Sequence, residues 1–336
     1  MRKQDGIPSV AAAIIKNDQV VWEGYFGQKD PTGTLPDGNT IYVLASISKV
    51  ITATAAMQLW EQGLLDLDAD INQYLDFPLR NPHFPDVPIT ARILMTHRSG
   101  LAWPNGEDPD FYTNYPDDTA PPLGNWLREY LVPDGTNYHA AVWKQVEPGS
   151  LVSYSNIGAS VVGYLCERIS GMDFADYCEQ NIFEPLGMTD THFTNAGVTS
   201  TNVAALYTAS NRVTPPYSVA FYPATTVHSS IYELGRFAQA YMHDGTLDGF
   251  QLLKPETLQE TLRLQVDGEG VCMFWWQVHQ TWRGHTGGYT GVSSALSIQV
   301  EDDLTIIILS NIGGADAVYP GGAIYNAIYQ EALTYR

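Results

Sequence analysis

The sequence predicts a mixed α/β (α+β) fold, an antiparallel sheet flanked by helices and built from both chain ends, with a mainly helical lobe inserted between them. Three observations predict it. Strand-like runs lie near both termini, helical periodicity and long loops fill the middle, and 336 residues are enough for two domains or for one with a large insertion. Segments 1–63 and 250–336 are read as the sheet lobe and 64–249 as the inserted lobe, with a functional site expected in the cleft between them.

Taken in order, residues 10–15 and 19–26 are apolar-rich and joined through Lys16-Asn17-Asp18, the pattern of a hairpin. Residues 27–39 are loop. Residues 44–63 read as one buried helix, because between 50 and 60 only Thr52, Thr54 and Gln58 interrupt the apolar run and Gly63 supplies a stop. Asp66, Asp68 and Asp70 mimic a calcium-loop spacing, but Ile71 and Phe77 stand where such a loop needs glycine and glutamate. The proline-rich stretch 77–148 is expected to be loop-heavy, with a helix around 89–95, and such segments tend to wall clefts. Helices are predicted over 157–169, 174–182, 231–241 and 323–333. Strands are predicted over 273–282, 293–300 and 304–309, the last two joined by Glu301-Asp302-Asp303.

Composition narrows the function. With 44% hydrophobic and 16% charged residues the chain is globular, and 17 Lys and Arg against 37 Asp and Glu give a net charge of −20. That charge repels phosphate backbones and anionic lipid, so nucleic-acid binding is set aside. No apolar run reaches the ~20 residues that a membrane span needs. Residues 1–5 are short and polar, and no signal peptide is expected. Cys166, Cys178 and Cys272 are odd in number and lack close pairing, which indicates structural thiols and neither a disulfide framework nor a zinc site. No metal or cofactor is expected.

The chemistry begins at the helix start. Ser46 and Lys49 stand three apart, so both side chains project from one face of the first turn. A serine alkoxide does not form unaided at neutral pH, and a desolvated lysine can take its proton. Ser46 is the candidate nucleophile and Lys49 its partner. Tyr154-Ser155-Asn156 precedes the helix at 157, where a phenol near the lysine ammonium is expected to have a depressed pKa and to relay protons. Tyr112-Thr113-Asn114 is a competing Tyr-x-Asn in loop and is read as chance. His285-Thr286-Gly287-Gly288 pairs two glycines, which would let a substrate backbone approach and one amide face an oxyanion. His97 is read as structural.

Ser46-Ile47-Ser48-Lys49, Tyr154-Ser155-Asn156 and His285-Thr286-Gly287 resemble, in order and spacing, the three motifs of the serine β-lactamase and DD-peptidase (penicillin-binding-protein-like) superfamily. Residues 94–101, 183–188 and 284–288 extend the resemblance along the chain. It implies an acyl-enzyme mechanism in which Ser46 attacks a carbonyl, Lys49 and Tyr154 shuttle the proton, and the amides of Ser46 and Gly288 form the oxyanion hole. Asn156, Thr286 and Gly287 would bind substrate, and His285, counted with the catalytic residues, would line the strand side with Thr286 and help orient the leaving group or a carboxylate. A His-led third motif looks more like the DD-carboxypeptidase, D-aminopeptidase and esterase-like branches than most β-lactamases. Pro223-Ala224-Thr225-Thr226 stands where relatives commonly show a glycine pair. The resemblance thus implies a hydrolase of D-amino-acid peptides, amides or small esters. A carboxylesterase, a β-lactamase and a non-hydrolytic penicillin-binding sensor remain as alternatives. The partner would be a small molecule or peptide, the oligomeric state is open, and the lean is toward a periplasmic or secreted protein.

Overall fold

The computed structural model describes residues 6–102 and 113–336. Its centre is a six-stranded antiparallel sheet made of β1 (Ser9–Lys16), β2 (Gln19–Gly27), β3 (Trp276–Gln277), β4 (Arg283–Tyr289), β5 (Val292–Gln299) and β6 (Leu304–Ser310), in the spatial order β3-β4-β5-β6-β1-β2. The two ends of the chain meet where β1 pairs with β6, from Val10 opposite Ser310 to Lys16 opposite Leu304. The β1–β2 turn is set by Asn17 and Asp18, both with positive φ (47° and 63°), the backbone a two-residue hairpin requires.

Strands β1, β5 and β6 are buried along almost their whole length, which explains their continuous apolar spelling. Alternate residues feed two cores. Val10, Ala12, Ile14, Ile306 and Ile308 face the C-terminal helix α8 (Ala323–Ala332) through Ile324, Tyr325 and Ile328. Ala11, Ala13, Ile15, Ile307 and Leu309 face a larger core that contains α1 (Ser48–Glu61).

The remaining helices are α2 (Ala91–Met95), α3 (Leu123–Leu131), α4 (Asn156–Ser170), α5 (Phe174–Cys178), α6 (Ile231–Met242) and α7 (Pro255–Leu262). The chain after α5 continues as a π-helical turn, Glu179–Phe183. Helix α1 packs on α4 and α7, and its three polar interruptions are all satisfied: Thr52 Oγ1 donates to Pro223 O (2.6 Å), Thr54 pairs with Tyr241 (2.7 Å), and Gln58 Nε2 donates to Leu252 O (3.2 Å). Helix α6 falls within the 64–249 segment yet packs on β1 and β6.

Two expectations are corrected. The aromatic run 273–282 is strand only at Trp276–Gln277, because Phe274 has φ +55° and the fully buried Met273, Phe274 and Trp275 form a turn, in which Phe274 N–H donates to Met95 O (2.9 Å) at the end of α2. Its apolar spelling came from burial, and the strand proper is the glycine-rich 283–289, fixed by register with β5. The proline-rich stretch also holds α3. Its buried Leu123, Trp126, Leu127, Tyr130 and Leu131 follow the helical period directly after Pro122. Two of the three acidic residues of the calcium-like run are engaged by arginines, Asp68 by Arg92 and Asp70 by Arg80, and Asp66 accepts from Asp68 N–H. All three cysteines are buried free thiols.

Candidate active site

Ser46 lies in a 3-10 turn, Ala45–Ile47, that runs into the N-terminus of α1. Ala45 is held at φ +47°, a conformation costing an alanine roughly 1 kcal/mol, so surrounding contacts must enforce it. They do. Leu44 N–H donates to Val227 O (2.7 Å), Leu44 O accepts from Ser294 Oγ (2.7 Å), and Ser48 Oγ donates to Ala45 O (2.7 Å) while accepting from Val227 N–H (3.0 Å). The hydroxyl of a partly exposed serine is thereby presented at the positive end of a helix.

Lys49 is fully buried, with Nζ 3.0 Å from Ser46 Oγ and 2.8 Å from Ala224 O. Burial holds its pKa well below the ordinary lysine value, favouring the neutral amine. The Tyr154 ring lies 4.8 Å from Nζ, and its phenol hydrogen-bonds Ser46. The phenol pKa is raised by burial, and the hydrogen bond to Ser46 offsets that only in part. The expected depression is therefore corrected: burial of the phenol outweighs its hydrogen bond to Ser46, and burial of Lys49 disfavours the ammonium that would have stabilised a phenolate.

His285 stands across from them, 6.0 Å ring to ring from Tyr154. Its Nδ1–H donates to Thr286 O (2.6 Å), and burial, with Lys49 close by, drives its pKa down to about 3. The neutral ring then offers Nε2 as an acceptor. Among the described residues nothing satisfies this buried Nε2 or the buried Oδ1 of Asn156. Asn156 opens α4, behind the N-cap Ser155, whose hydroxyl accepts from Gly158 N–H.

Strand β3 pairs with β4 only at Arg283 and Gly284, so the ladder on that side ends before His285. Beyond it, Thr286 is half-buried and Gly288 exposed, while Gly287 packs against the Ser46 turn. A Cβ on Gly287 would collide with Leu44 O and Ser294 Oγ, and this close approach brings the strand to the Ser46 turn. Ser46 thus lies on the 3-10 turn before α1 and Lys49 on the first turn of α1, Tyr154 and Asn156 lie at the entry to α4, and residues 285–288 lie on β4.

A profile of the beta-lactamase family matches residues 1–329. The chain belongs to the beta-lactamase family. Its relatives include a penicillin-binding protein of Bacillus subtilis (strain 168), 26% identical over 319 residues, which cover 87% of this chain and 65% of that protein. The lovastatin esterase of Penicillium rubens is 29% identical over 202 residues, covering 51% of this chain and 46% of the esterase. The beta-lactamase/D-alanine carboxypeptidase of Pseudomonas syringae superposes with a TM-score of 0.77 at 20% identity, over 98% of this chain and 96% of that one, a likeness of fold. This member of the beta-lactamase family spans about half to two thirds of the length of the curated relatives it matches. Among the described residues, no helix is long and apolar enough to cross a membrane.

Sequence reasoning missed three residues that support this arrangement. Ala224 contributes a carbonyl to Lys49, and a backbone acceptor leaves no side-chain signal. Ser294 pins Leu44. Tyr319 donates to Gly287 O (3.2 Å) and lies beside Gly288. His97, read as structural, packs 4.5 Å from Tyr154. Tyr112 lies outside the described residues, and its neighbour Asn114 accepts from the Tyr289 hydroxyl (3.0 Å).

Proposed function

We propose that this protein is a serine hydrolase working through an acyl-enzyme in the cleft between the sheet and the helices of 64–249. The reading rests above all on a buried, neutral amine within hydrogen-bond distance of an accessible serine hydroxyl. Lys49 donates one N–H to Ala224 O and turns its lone pair to the Ser46 hydroxyl. Ser46 Oγ attacks the substrate carbonyl as its proton passes to Lys49, and Tyr154 relays it to the leaving group. The amides of Ser46 and Gly288 stabilise the oxyanion, each worth ~3 kcal/mol. Asn156 holds the acyl side, Thr286 and Gly287 line the strand side, and His285 accepts a hydrogen bond through Nε2. Water then releases the acyl group, its proton passing through the Tyr154 hydroxyl to the neutral Lys49 amine.

The substrate class follows from charge. Lys49 and His285 both have lowered pKa values, so the bases beside Ser46 and Tyr154 favour their uncharged forms, in a protein of net charge −20. That favours a D-amino-acid peptide or amide, or a small ester, over a substrate recognised through a free carboxylate, and makes efficient penicillin hydrolysis the weaker activity. A carboxylesterase is the second reading, favoured by the neutral His285 in the place of a cation.

Intact mass after fluorophosphonate treatment is expected to show one adduct, absent from Ser46→Ala. In a panel of D-Ala-D-Ala peptides, D-amino-acid amides, p-nitrophenyl butyrate and a cephalosporin, turnover of the amides is expected. Rate on the butyrate alone would move the assignment to the esterase, and a persistent penicillin adduct with no turnover would make the protein a sensor. Equal labelling of Ser46→Ala would overturn the nucleophile. Tyr154→Phe is expected to lower kcat ~100-fold, with Tyr112→Phe near wild type; equal effects would remove Tyr154 from the relay.

A further inference from the structure

His97 is buried at the end of α2 with φ +55°, and it touches the loop of Tyr154 twice. Its carbonyl accepts from Ser153 N–H (2.6 Å), and its Nδ1 accepts from Ser155 N–H (3.1 Å), so the residues on both sides of Tyr154 are tied to one histidine. The imidazole itself lies 4.5 Å from the Tyr154 ring and is backed by Phe274 (5.1 Å) and Trp276 (5.8 Å). We infer that His97 is a positioning residue, a clamp on residues 153 and 155 that keeps the Tyr154 hydroxyl on Ser46.

The clamp requires one protonation state. Nδ1 accepts a hydrogen bond only as a lone pair, which places the single ring proton on Nε2. Protonation would set an N–H at Nδ1 against the N–H of Ser155 and open the clamp. The groups facing the ring, Lys49 from α1, Tyr154 from the α4 start and His285 from β4, offer no carboxylate to favour an imidazolium, and burial with Lys49 and His285 nearby keeps His97 neutral. A phenol displaced by as little as 1 Å from the reacting hydroxyl is enough to cost on the order of 100-fold in rate.

The inference rests on Tyr154 acting as the proton relay, and the test separates the two. Asparagine tolerates left-handed backbone and places Oδ1 where Nδ1 stands, whereas glutamine carries its amide one methylene further out. In the full chain, His97→Asn is expected to keep kcat within ~5-fold of wild type, and His97→Gln to lose ~50-fold with KM within ~2-fold and a similar Tm. His97→Gln on a Tyr154→Phe background is expected to add little further loss, because both changes remove the same contribution. Equal rates for Asn and Gln, or a Gln loss that adds in full to that of Tyr154→Phe, would overturn the clamp. Wild-type rates in Tyr154→Phe alone would instead overturn the relay on which it rests.

Discussion

Lys49→Met is expected to abolish turnover, by ~10⁴-fold or more in kcat, and to be better tolerated by the fold at pH 7 than at pH 10. The kinetic half follows because methionine fills the same volume without a lone pair for the Ser46 proton. The stability half follows from linkage. An unfolded lysine titrates near ~10.4, whereas burial lowers the pKa of the folded Lys49 well below that. Between the two values the unfolded chain binds a proton that the native state does not, so wild-type stability rises with pH across that window. Stability is thus lost as pH falls from the unfolded toward the folded value. Methionine has no such dependence. The Tm of the variant relative to wild type should therefore increase as pH is lowered from 10 to 7, superimposed on a pH-independent loss from leaving Ala224 O without its donor. Thermal unfolding of both proteins at the two pH values checks it, and a difference that does not change with pH would mean Lys49 is charged in the native protein. In the same wild-type enzyme kcat/KM should fall on the acid side, as Lys49 takes up the proton it must leave free.

That prediction draws on features the sequence shows unevenly. The Ser46–Lys49 pair was legible because local geometry decides it: two side chains three apart in a helical turn meet whatever surrounds them. Tyr154-Ser155-Asn156 was legible as a helix start, and the order of the three motifs linked them. The sign of the Tyr154 shift was not legible, since it depends on what buries the phenol and on an amine whose own charge burial removes. Strand β4 was misplaced for a related reason. Arg283-Gly284-His285-Thr286-Gly287-Gly288-Tyr289 is poor in strand formers, and only pairing with β5 makes it a strand, whereas the apolar 273–275 looked like one and is a buried turn. Helix α3 was readable in principle from its apolar period, but the prolines around it argued for loop. Ala224 acts through its carbonyl, and His97 grips the backbone N–H groups of Ser153 and Ser155, partners that residue types do not advertise.

Gly287→Ala is expected to cost about 3 kcal/mol of stability and at least ~100-fold in kcat, while Gly288→Ala, one residue further along the same strand, costs little of either. A methyl group on Gly287 meets a backbone carbonyl, that of Leu44, and the hydroxyl of Ser294. The carbonyl has nowhere to go, because Leu44 N–H is bonded to Val227 O and the turn that follows carries Ala45 in its left-handed conformation. Relief must come from β4 lifting off the Ser46 turn, which would carry Thr286 and the Gly288 amide away from the nucleophile. On Gly288 the same methyl group meets only the hydroxyl of Tyr319, at 2.7 Å, the far end of a side chain that can swing aside. Pairing Gly288→Ala with Tyr319→Phe should then recover whatever the single change loses, and no change at Tyr319 should help Gly287→Ala. Denaturant unfolding together with acylation rates for the four proteins checks this. If the two alanines were equally damaging, the strand would not be held against Ser46 by the absence of a side chain at Gly287, and the placing of the oxyanion amide would need another cause.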